Sequence, residues 1–183
     1  MSKITIQRLN PMHAEAYRAM MLEAYEHHPD AFLSSTSERA VLPLSWWQKR
    51  LDDNPEANEM VFGVLDEQGR LCGVAGLSVG AREKEAHKAT LFGMYVPSAC
   101  RGRGIGAHLV QAVLDEARDR QVLLVQLTVT RGNAAAERLY AAQGFQVFGV
   151  EPMGLRLGEH FWDKVHMWRA LQSPSNKEFW GEK

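Results

Sequence analysis

The sequence predicts a mixed α/β fold, with a central, largely antiparallel twisted sheet, flanking helices and one βαβ unit. Three observations carry this prediction. The first half contains three consecutive strand-like runs, residues 101–107 form a glycine-rich turn between a strand pattern and a helix pattern, and residues 122–129 are almost continuously apolar, as in a strand covered on both faces. With 183 residues, 45% of them hydrophobic, the chain is expected to form one domain over residues 1–171, followed by a polar tail over residues 172–183.

The first half is predicted to run strand, helix, helix and then three strands. Asn10 followed by Pro11 is typical of a helix start, because asparagine caps the free backbone amides and proline fits the first helical position. Residues 66–69, Asp-Glu-Gln-Gly, have the composition of a hairpin turn. The predicted elements are a strand over residues 4–9, helices over 11–27 and 44–51, and strands over 60–65, 71–79 and 89–96.

Helices and strands alternate in the second half. Ile105, Leu109 and Val113 recur at helical spacing and predict one buried helix face. Asn133 is suited to cap a later helix, and Gly144 is suited to end it. The predicted elements are helices over residues 105–118 and 133–144 and strands over 122–129, 145–150 and 164–171.

The turn over residues 101–107 reads Arg-Gly-Arg-Gly-Ile-Gly-Ala and predicts a site for a phosphorylated ligand. The first turn of a helix has backbone amides without intrahelical partners, and the helix dipole places partial positive charge there. Two arginines add charge. A P-loop is excluded because no Lys-Ser/Thr pair follows, and the alternate spacing of the glycines after antiparallel-type strands does not fit a Rossmann turn.

Composition excludes several other classes. The formal net charge of −1 gives no bulk electrostatic case for nucleic-acid binding. Cys72 and Cys100 lack CxxC spacing, so neither a disulfide framework nor a metal site is predicted. Without a signal-peptide pattern or an apolar run of roughly 20 residues, we expect a cytoplasmic protein with no membrane partner.

Two motifs resemble one family. Arg101-x-x-Gly104-x-Gly106 is similar to the acyl-CoA pyrophosphate loop of the GNAT superfamily of N-acetyltransferases, and residues 133–140, Asn-Ala-Ala-Ala-Glu-Arg-Leu-Tyr, followed by Gly-Phe, resemble that family's later helix. The resemblance implies a GNAT-like fold, acetyl-CoA as cosubstrate and acetyl transfer to a primary amine of a small molecule or peptide. The alternative is a non-catalytic acyl-CoA-binding sensor or interaction module.

The resemblance also implies roles for residues. The loop amides would cradle the pyrophosphate, the end of the preceding strand would pair with the pantetheine arm, and Tyr140 would be the general acid for the departing thiolate. Asn133 could equally be a plain helix cap, Tyr140 a buried aromatic and Arg103 a solvated charge. The implied cofactor-binding residues are Met94, Tyr95, Val96, Arg101, Gly102, Arg103, Gly104, Ile105, Gly106, Ala107, Asn133 and Tyr140.

The sequence departs from the family pattern at the general base. Some relatives carry a glutamate on the strand before the loop, and alignment on Arg101 places Thr90 there. Threonine cannot accept the proton of an ammonium group. The nearby candidates are Glu83, Glu85 and His87, of which His87 has the most suitable intrinsic pKa. A water relay without a dedicated base is at least as good an alternative, and His160 and His166 near the C-terminal strands are further candidates.

The acceptor site is expected between the first helices and the C-terminal strands. Phe32, Trp46 and Trp47 are candidates to line it, with helix packing as the alternative role of the tryptophans. Residues 152–162 are predicted to connect the last two strands, where they would cover the acyl end or support a homodimer. The acceptor is expected to be a small-molecule amine, since no charged patch in the sequence marks a peptide groove.

Overall fold

A computed structural model describes residues 4–172 and confirms the mixed α/β fold. Seven strands form one sheet in the order β1-β2-β3-β4-β5-β7-β6, in which only β4 and β5 are parallel. The strands are β1 (Thr5–Arg8), β2 (Glu59–Leu65), β3 (Leu71–Val79), β4 (Lys88–Tyr95), β5 (Leu124–Thr130), β6 (Gln146–Leu157) and β7 (His160–Ala170). The helices are α1 (Ala14–His27), α2 (Thr36–Ala40), α3 (Leu44–Arg50), α4 (Ile105–Asp119) and α5 (Ala134–Ala142).

The N-terminal helix begins where its capping signal lies. The Asn10 side chain accepts a hydrogen bond from the Met12 amide at 3.1 Å, and a 3₁₀ turn over Pro11–His13 precedes α1. Helix α2 was not predicted, although its capping box is readable. Ser35 Oγ accepts from the amide of Glu38, and the Glu38 carboxylate accepts from the amide of Ser35. At five residues, the helix is too short to show an apolar period.

Two apolar clusters cover opposite faces of the sheet, as the alternation of side chains along β2 shows. Met60, Phe62 and Val64 pack with α4 and α5, whereas Val61 packs with α1 and α3. The C-terminal part of the molecule is a long hairpin of β6 and β7. Helices thus pack on both faces of the sheet, and the candidate functional site lies near the middle of the sheet, between them.

Strand β4 contains a bulge at Gly93, whose φ is +57°. Two residue steps along β3 match three along β4 between Phe92 and Tyr95. The extra residue places Leu91 and Met94 in the same apolar cluster although they are three positions apart. Glycine suits this position because its φ is in the left-handed region.

The parallel pairing of β4 and β5 is short. It covers only residues 88–90 of β4 against residues 124–126 of β5. Beyond the bulge the two strands diverge, so the β5-facing backbone edge of β4 has no neighbouring strand among the described residues. This gap in the sheet is the structural origin of the site.

The expectation that residues 152–162 connect two strands is wrong. They form the far ends of β6 and β7, which meet at a turn where Gly158 has a φ of +62°. Pro152 and Gly154 resemble strand breakers, but β6 is an edge strand and its pairing is irregular between Glu151 and Leu155. A proline is tolerated in such a place because its missing amide breaks no ladder hydrogen bond.

The expected tail over residues 172–183 lies, apart from residue 172, outside the described residues. Within residues 4–172, no helix is both long and apolar enough to cross a membrane. The same part of the chain contains no group of three His, Cys, Asp or Glu side chains arranged to hold a metal ion.

Candidate active site

A cleft of about 430 Å³ opens where β4 and β5 diverge. Its walls come from the end of β4, the loop and first turn of α4, helix α5, and the segment after α1. Most of the residues implied as cofactor-binding by the motifs meet here. The lining residues are His28, Ala31, Phe32, Met94, Tyr95, Val96, Arg101, Gly102, Gly104, Ile105, Gly106, Ala107, Asn133, Ala135, Ala136, Leu139 and Tyr140.

The N-terminus of α4 forms one end of the cleft. Gly104 is the N-cap, with a φ of +72° and no side chain to satisfy the amides of the first turn. Gly102 is also left-handed, with a φ of +77°. A glycine loop ending in a helix with free amides is an anion site. The arrangement can therefore hold the phosphates of a ligand.

Arg101 fixes the loop to the cleft wall. Its Nε donates to the carbonyl of Val96 at 3.0 Å, and its Nη2 donates to His28 Nε2 at 3.1 Å. This arginine thereby links the end of β4, the loop and the end of α1 while its charge remains exposed to solvent. Arg103 is exposed and does not line the cleft, so the geometry does not bring it to the site.

Close packing of α4 against the cleft explains Gly106. A Cβ atom there would lie 3.1 Å from Leu139 Cδ2 and 3.2 Å from Met94 Cε, which is tighter than ordinary van der Waals contact. Glycine thus lets the first turn of α4 approach β4 and α5. The close approach places the free amides beside the open edge of β4.

Tyr140 lies at the inner part of the cleft and is 7% exposed. Its ring packs edge-on against Phe145, and its hydroxyl donates to the thioether sulfur of Met94 at 3.5 Å. Burial raises the pKa of Tyr140 to about 12. With this pKa the phenol stays protonated at neutral pH. Because a thioether is a weak acceptor, the hydroxyl can donate instead to a stronger acceptor that enters the cleft.

Asn133 is the N-cap of α5, the position that the sequence predicted for it. Its Oδ1 accepts from the Ala136 amide at 3.2 Å. The residue also lines the cleft, and its side-chain NH₂ donates to no group among the described residues. Asn133 can therefore cap the helix and face a ligand at the same time.

His87 is not brought to the cleft. It precedes β4, and its carbonyl accepts from the amide of Leu123 at 2.8 Å. Met94 lies seven residues further along an extended strand, a span of roughly 23 Å. His87 therefore cannot reach an amine that reacts beside Met94, and its position gives the expected role as base no support.

The three aromatic candidates for the acceptor site lie in different environments. Phe32 lines the cleft. Trp47 is 1% exposed and packs edge-on against Tyr17 in the core, so the expectation that it lines an acceptor site does not fit the structure. Trp46 is half-buried, does not line the cleft and has two guanidinium groups over its ring. The physical reason is that tryptophans adjacent in a helix face different directions.

Sequence reasoning missed His28 and Leu139 as cleft residues. Leu139 lies one position before Tyr140 on a helix that the motif had already placed, so helical geometry could have suggested it. His28 follows α1 and precedes a proline, with no local signal of a site. Tertiary contacts alone place it in the cleft wall, through the hydrogen bond from Arg101 and the packing of its ring 5.8 Å from that of Tyr95.

The sequence of the chain matches known acetyltransferases. Residues 18–145 match the family model described as the acetyltransferase (GNAT) family. The chain is 30% identical over 126 residues to L-amino acid N-acetyltransferase AaaT of Escherichia coli (strain K12). The matched region covers 68% of this chain and 75% of the relative. It is also 30% identical over 102 residues to an L-methionine sulfoximine/L-methionine sulfone acetyltransferase of Pseudomonas aeruginosa, which covers 55% of this chain and 57% of the relative.

Solved structures share the fold. A GNAT-family acetyltransferase from Streptococcus pneumoniae superposes with a TM-score of 0.80 at 21% identity, covering 92% of this chain and 99% of the other. The putative acetyltransferase yncA from Salmonella typhimurium, solved with its cofactor acetyl-CoA, superposes with a TM-score of 0.78 at 22% identity, covering 97% and 99%. Together with the family match and the cleft, these findings show that the chain belongs to the GNAT family of acetyltransferases.

Proposed function

We propose that this acetyltransferase transfers the acetyl group of acetyl-CoA to the amino group of a small molecule, by direct attack in a ternary complex. One observation carries the proposal. A single cleft joins a helix N-terminus that can hold phosphate, an open strand edge and the buried hydroxyl of Tyr140. These three features match, in order, the pyrophosphate, the pantetheine arm and the thioester of acetyl-CoA.

The residues present fit such a cosubstrate. The amides of residues 101–107 would hold the pyrophosphate, with the Arg101 charge beside it. The unpaired edge of β4 at Met94 and Val96 would hydrogen-bond the amides of the pantetheine arm, as an added strand would. Asn133 supplies a further polar contact from α5. Acetyl-CoA contributes an activated acyl group, and the chain contributes its placement.

In the proposed reaction, the amine nitrogen bonds to the thioester carbonyl carbon and the carbon–sulfur bond then breaks. A backbone amide at the end of β4 would polarise the carbonyl oxygen as negative charge develops there. Tyr140 gives its proton to the departing sulfur. The proton that the nitrogen loses as the amide forms returns to the tyrosine oxygen, so atoms and charge balance.

The cleft supports a water relay for amine deprotonation. His28 is an ionisable lining residue, but its Nε2 already accepts from Arg101. Thr90 takes the place of the glutamate found in some relatives, and its hydroxyl accepts from Gln126 at 3.4 Å. Without a dedicated base, kcat/KM at limiting amine should rise with pH until the amine itself is neutral.

The relatives favour a small acceptor. Two curated relatives are named for an L-amino acid and for L-methionine sulfoximine or sulfone, and one structural neighbour is a putative phosphinothricin N-acetyltransferase. These substrates share an amino group on a compact, acidic molecule. We propose an acceptor of this size rather than a peptide.

An amine panel tests the proposal. The full chain is incubated with acetyl-CoA and the L-amino acids, polyamines and a short peptide, while free thiol is followed and N-acetyl products are identified by mass spectrometry. Thiol release that matches product formation is expected with at least one small amine. Binding of CoA without acetylation of any amine would support the alternative, a non-catalytic acyl-CoA-binding module.

We further propose that the protein forms a homodimer through the β6–β7 hairpin. The edge strand β6 is 12 residues long, and most exposed large apolar side chains of the described residues lie on this hairpin. An unpaired, apolar edge is self-complementary under two-fold symmetry. Sedimentation of the wild type and of a Phe148→Lys variant tests this, since the variant should be monomeric. The exposed residues are Val147, Phe148, Val150, Met153, Leu157 and Phe161.

A further inference from the structure

Two arginines stack on a half-buried tryptophan, Trp46, which packs in the same apolar cluster as Phe32 of the cleft lining. The guanidinium carbon of Arg39 lies 4.6 Å from the Trp46 ring centroid, and that of Arg50 lies 5.1 Å from it. Arg50 is also 5.1 Å from the ring of Phe92 on β4. We call Arg39, Trp46, Arg50 and Phe92 the arginine cluster. It concentrates two positive charges against an aromatic surface.

The positive charge of the cluster is only partly balanced. Arg50 Nη1 lies 3.8 Å from Glu59 Oε2, and its side chain is 26% exposed. Arg39 Nε donates to Ser34 Oγ at 3.0 Å, and among residues 4–172 no carboxylate forms an ion pair with Arg39. The neighbouring Glu38 is held by the Ser35 cap instead. One full positive charge is therefore available to a ligand.

The cluster is continuous with the cleft. Tyr25 lies between them, because its ring packs 5.3 Å from Phe32, which lines the cleft, and the charges of Arg39 and Arg50 both lower the pKa of Tyr25 against the effect of its burial. On the sheet side, Phe92 is two residues before Met94. The Phe92 side chain packs on the α1 face of the sheet and Met94 packs on the α4 face, so an acceptor beside Met94 extends toward the arginine cluster along the α1 face, past Phe32 and Tyr25.

We propose that Arg39 and Arg50 form a subsite for an anionic oxygen group, such as a carboxylate, on the acceptor amine. This inference rests on the proposed acetyl transfer and names its substrate class, an amine that carries an acid. Arg39 and Arg50 do not line the cleft themselves, and the one arginine in its described lining, Arg101, is bound to Val96 and His28 near the loop.

The geometry explains how such a subsite would select. Contact with the Trp46 ring restricts both guanidinium groups, so less side-chain entropy is lost when a carboxylate accepts hydrogen bonds from them. A neutral analogue of the same shape would leave the half-buried arginines without that partner. Sites built to bind a charged group discriminate strongly against analogues that lack it.

Matched substrate pairs test the inference. The kcat/KM of an L-amino acid is compared with that of its carboxamide, and L-glutamate with L-glutamine, so that an α-carboxylate and a distal carboxylate are distinguished. We expect one acid in a pair to be preferred by about 10- to 100-fold, the range for a charge-assisted hydrogen bond. Arg39→Gln should remove most of that preference, and Arg39→Lys should restore part of it.

The control variant is Arg118→Gln, which removes an arginine paired with Asp115 on the outer part of α4 and should leave the preference unchanged. A titration of CoA-loaded protein with L-glutamate and with L-glutamine gives a readout that does not need turnover. Equal use or equal binding of acid and neutral analogues would overturn the subsite while leaving acetyl transfer intact. If no amine is acetylated, the proposed function fails, and the titration still decides the subsite.

Discussion

Replacing Tyr140 with phenylalanine removes one oxygen from the inner part of the cleft and little else. The ring remains packed against Phe145 at a centroid separation of 5.9 Å. Among residues 4–172, the hydroxyl makes one hydrogen bond, the weak one to the sulfur of Met94, and this bond is lost. The variant should therefore fold with a free energy of unfolding within about 1 kcal/mol of wild type.

The effect on turnover should be much larger. A positioned general acid contributes about 10²- to 10⁴-fold to rate, equivalent to about 3–5 kcal/mol of barrier. The pKa of about 12 ensures that the wild-type phenol carries its proton throughout the neutral range. Phenylalanine offers no proton to the departing sulfur, so kcat should fall by that factor while CoA affinity stays near wild type.

The assay combines initial rates of thiol release with calorimetric titration of CoA. The amine that proves most active in the panel serves as acceptor, at saturating acetyl-CoA and several pH values. An acyl donor whose thiol has a lower pKa should partly restore the kcat of Tyr140→Phe, because that thiol can leave as a thiolate without receiving a proton.

Two results would refute this reasoning. Full turnover in Tyr140→Phe would show that the hydroxyl does not assist the leaving group. Loss of CoA affinity in proportion to the loss of rate would instead assign Tyr140 a binding role.

Three further outcomes follow from the structure. Thr130→Val should lower the free energy of unfolding by about 1–3 kcal/mol in chemical denaturation, because the buried Lys164 ammonium, which donates to Thr130 Oγ1 at 2.7 Å, loses this hydrogen-bond partner. Thr130→Ser keeps the hydroxyl, so an equal loss of stability in that variant would contradict the prediction. Gly106→Val should weaken CoA binding at least about tenfold by pushing a side chain into a cleft wall that is already tightly packed, and unchanged affinity would count against the placement of the cleft. The free energy of unfolding should fall as the pH rises from 10 to about 12, because burial raises the folded-state pKa of Tyr17 and Tyr140 to about 12 and the unfolded chain loses these protons first. Each tyrosine contributes about 3 kcal/mol to this decline. Tyr17→Phe should make the decline shallower, and an unchanged slope in that variant would contradict the prediction.

Local signals predicted the parts of the site that depend on backbone chemistry. The glycine loop over residues 101–107, the cap at Asn133 and the stop at Gly144, with a φ of +80°, all lie where their residue types require them. These features are set by a few neighbouring residues, so a single sequence is enough to place them. The order of strands and helices was predictable for the same reason.

Features that depend on long-range packing were not predictable. The depth of Trp47 depends on how α3 rotates against α1, and residues 152–162 join a sheet edge that tolerates Pro152. His87 precedes β4, and the reacting centre lies at the other end of that strand, so the extended strand keeps the imidazole far from it. The contact of His28 with Arg101 is likewise a tertiary event between residues 73 positions apart.

Calorimetric titration of CoA into the wild type and two glycine variants tests most directly whether the N-terminus of α4 holds the cosubstrate. Gly104 and Gly69 have nearly equal φ angles, +72° and +75°, but Gly69 lies in the β2–β3 turn. We predict one CoA per chain, affinity lowered at least about tenfold in Gly104→Val through the loss of anion–amide hydrogen bonds, and unchanged affinity in Gly69→Val. Equal affinity in all three proteins, or no CoA binding by the wild type, would contradict the account.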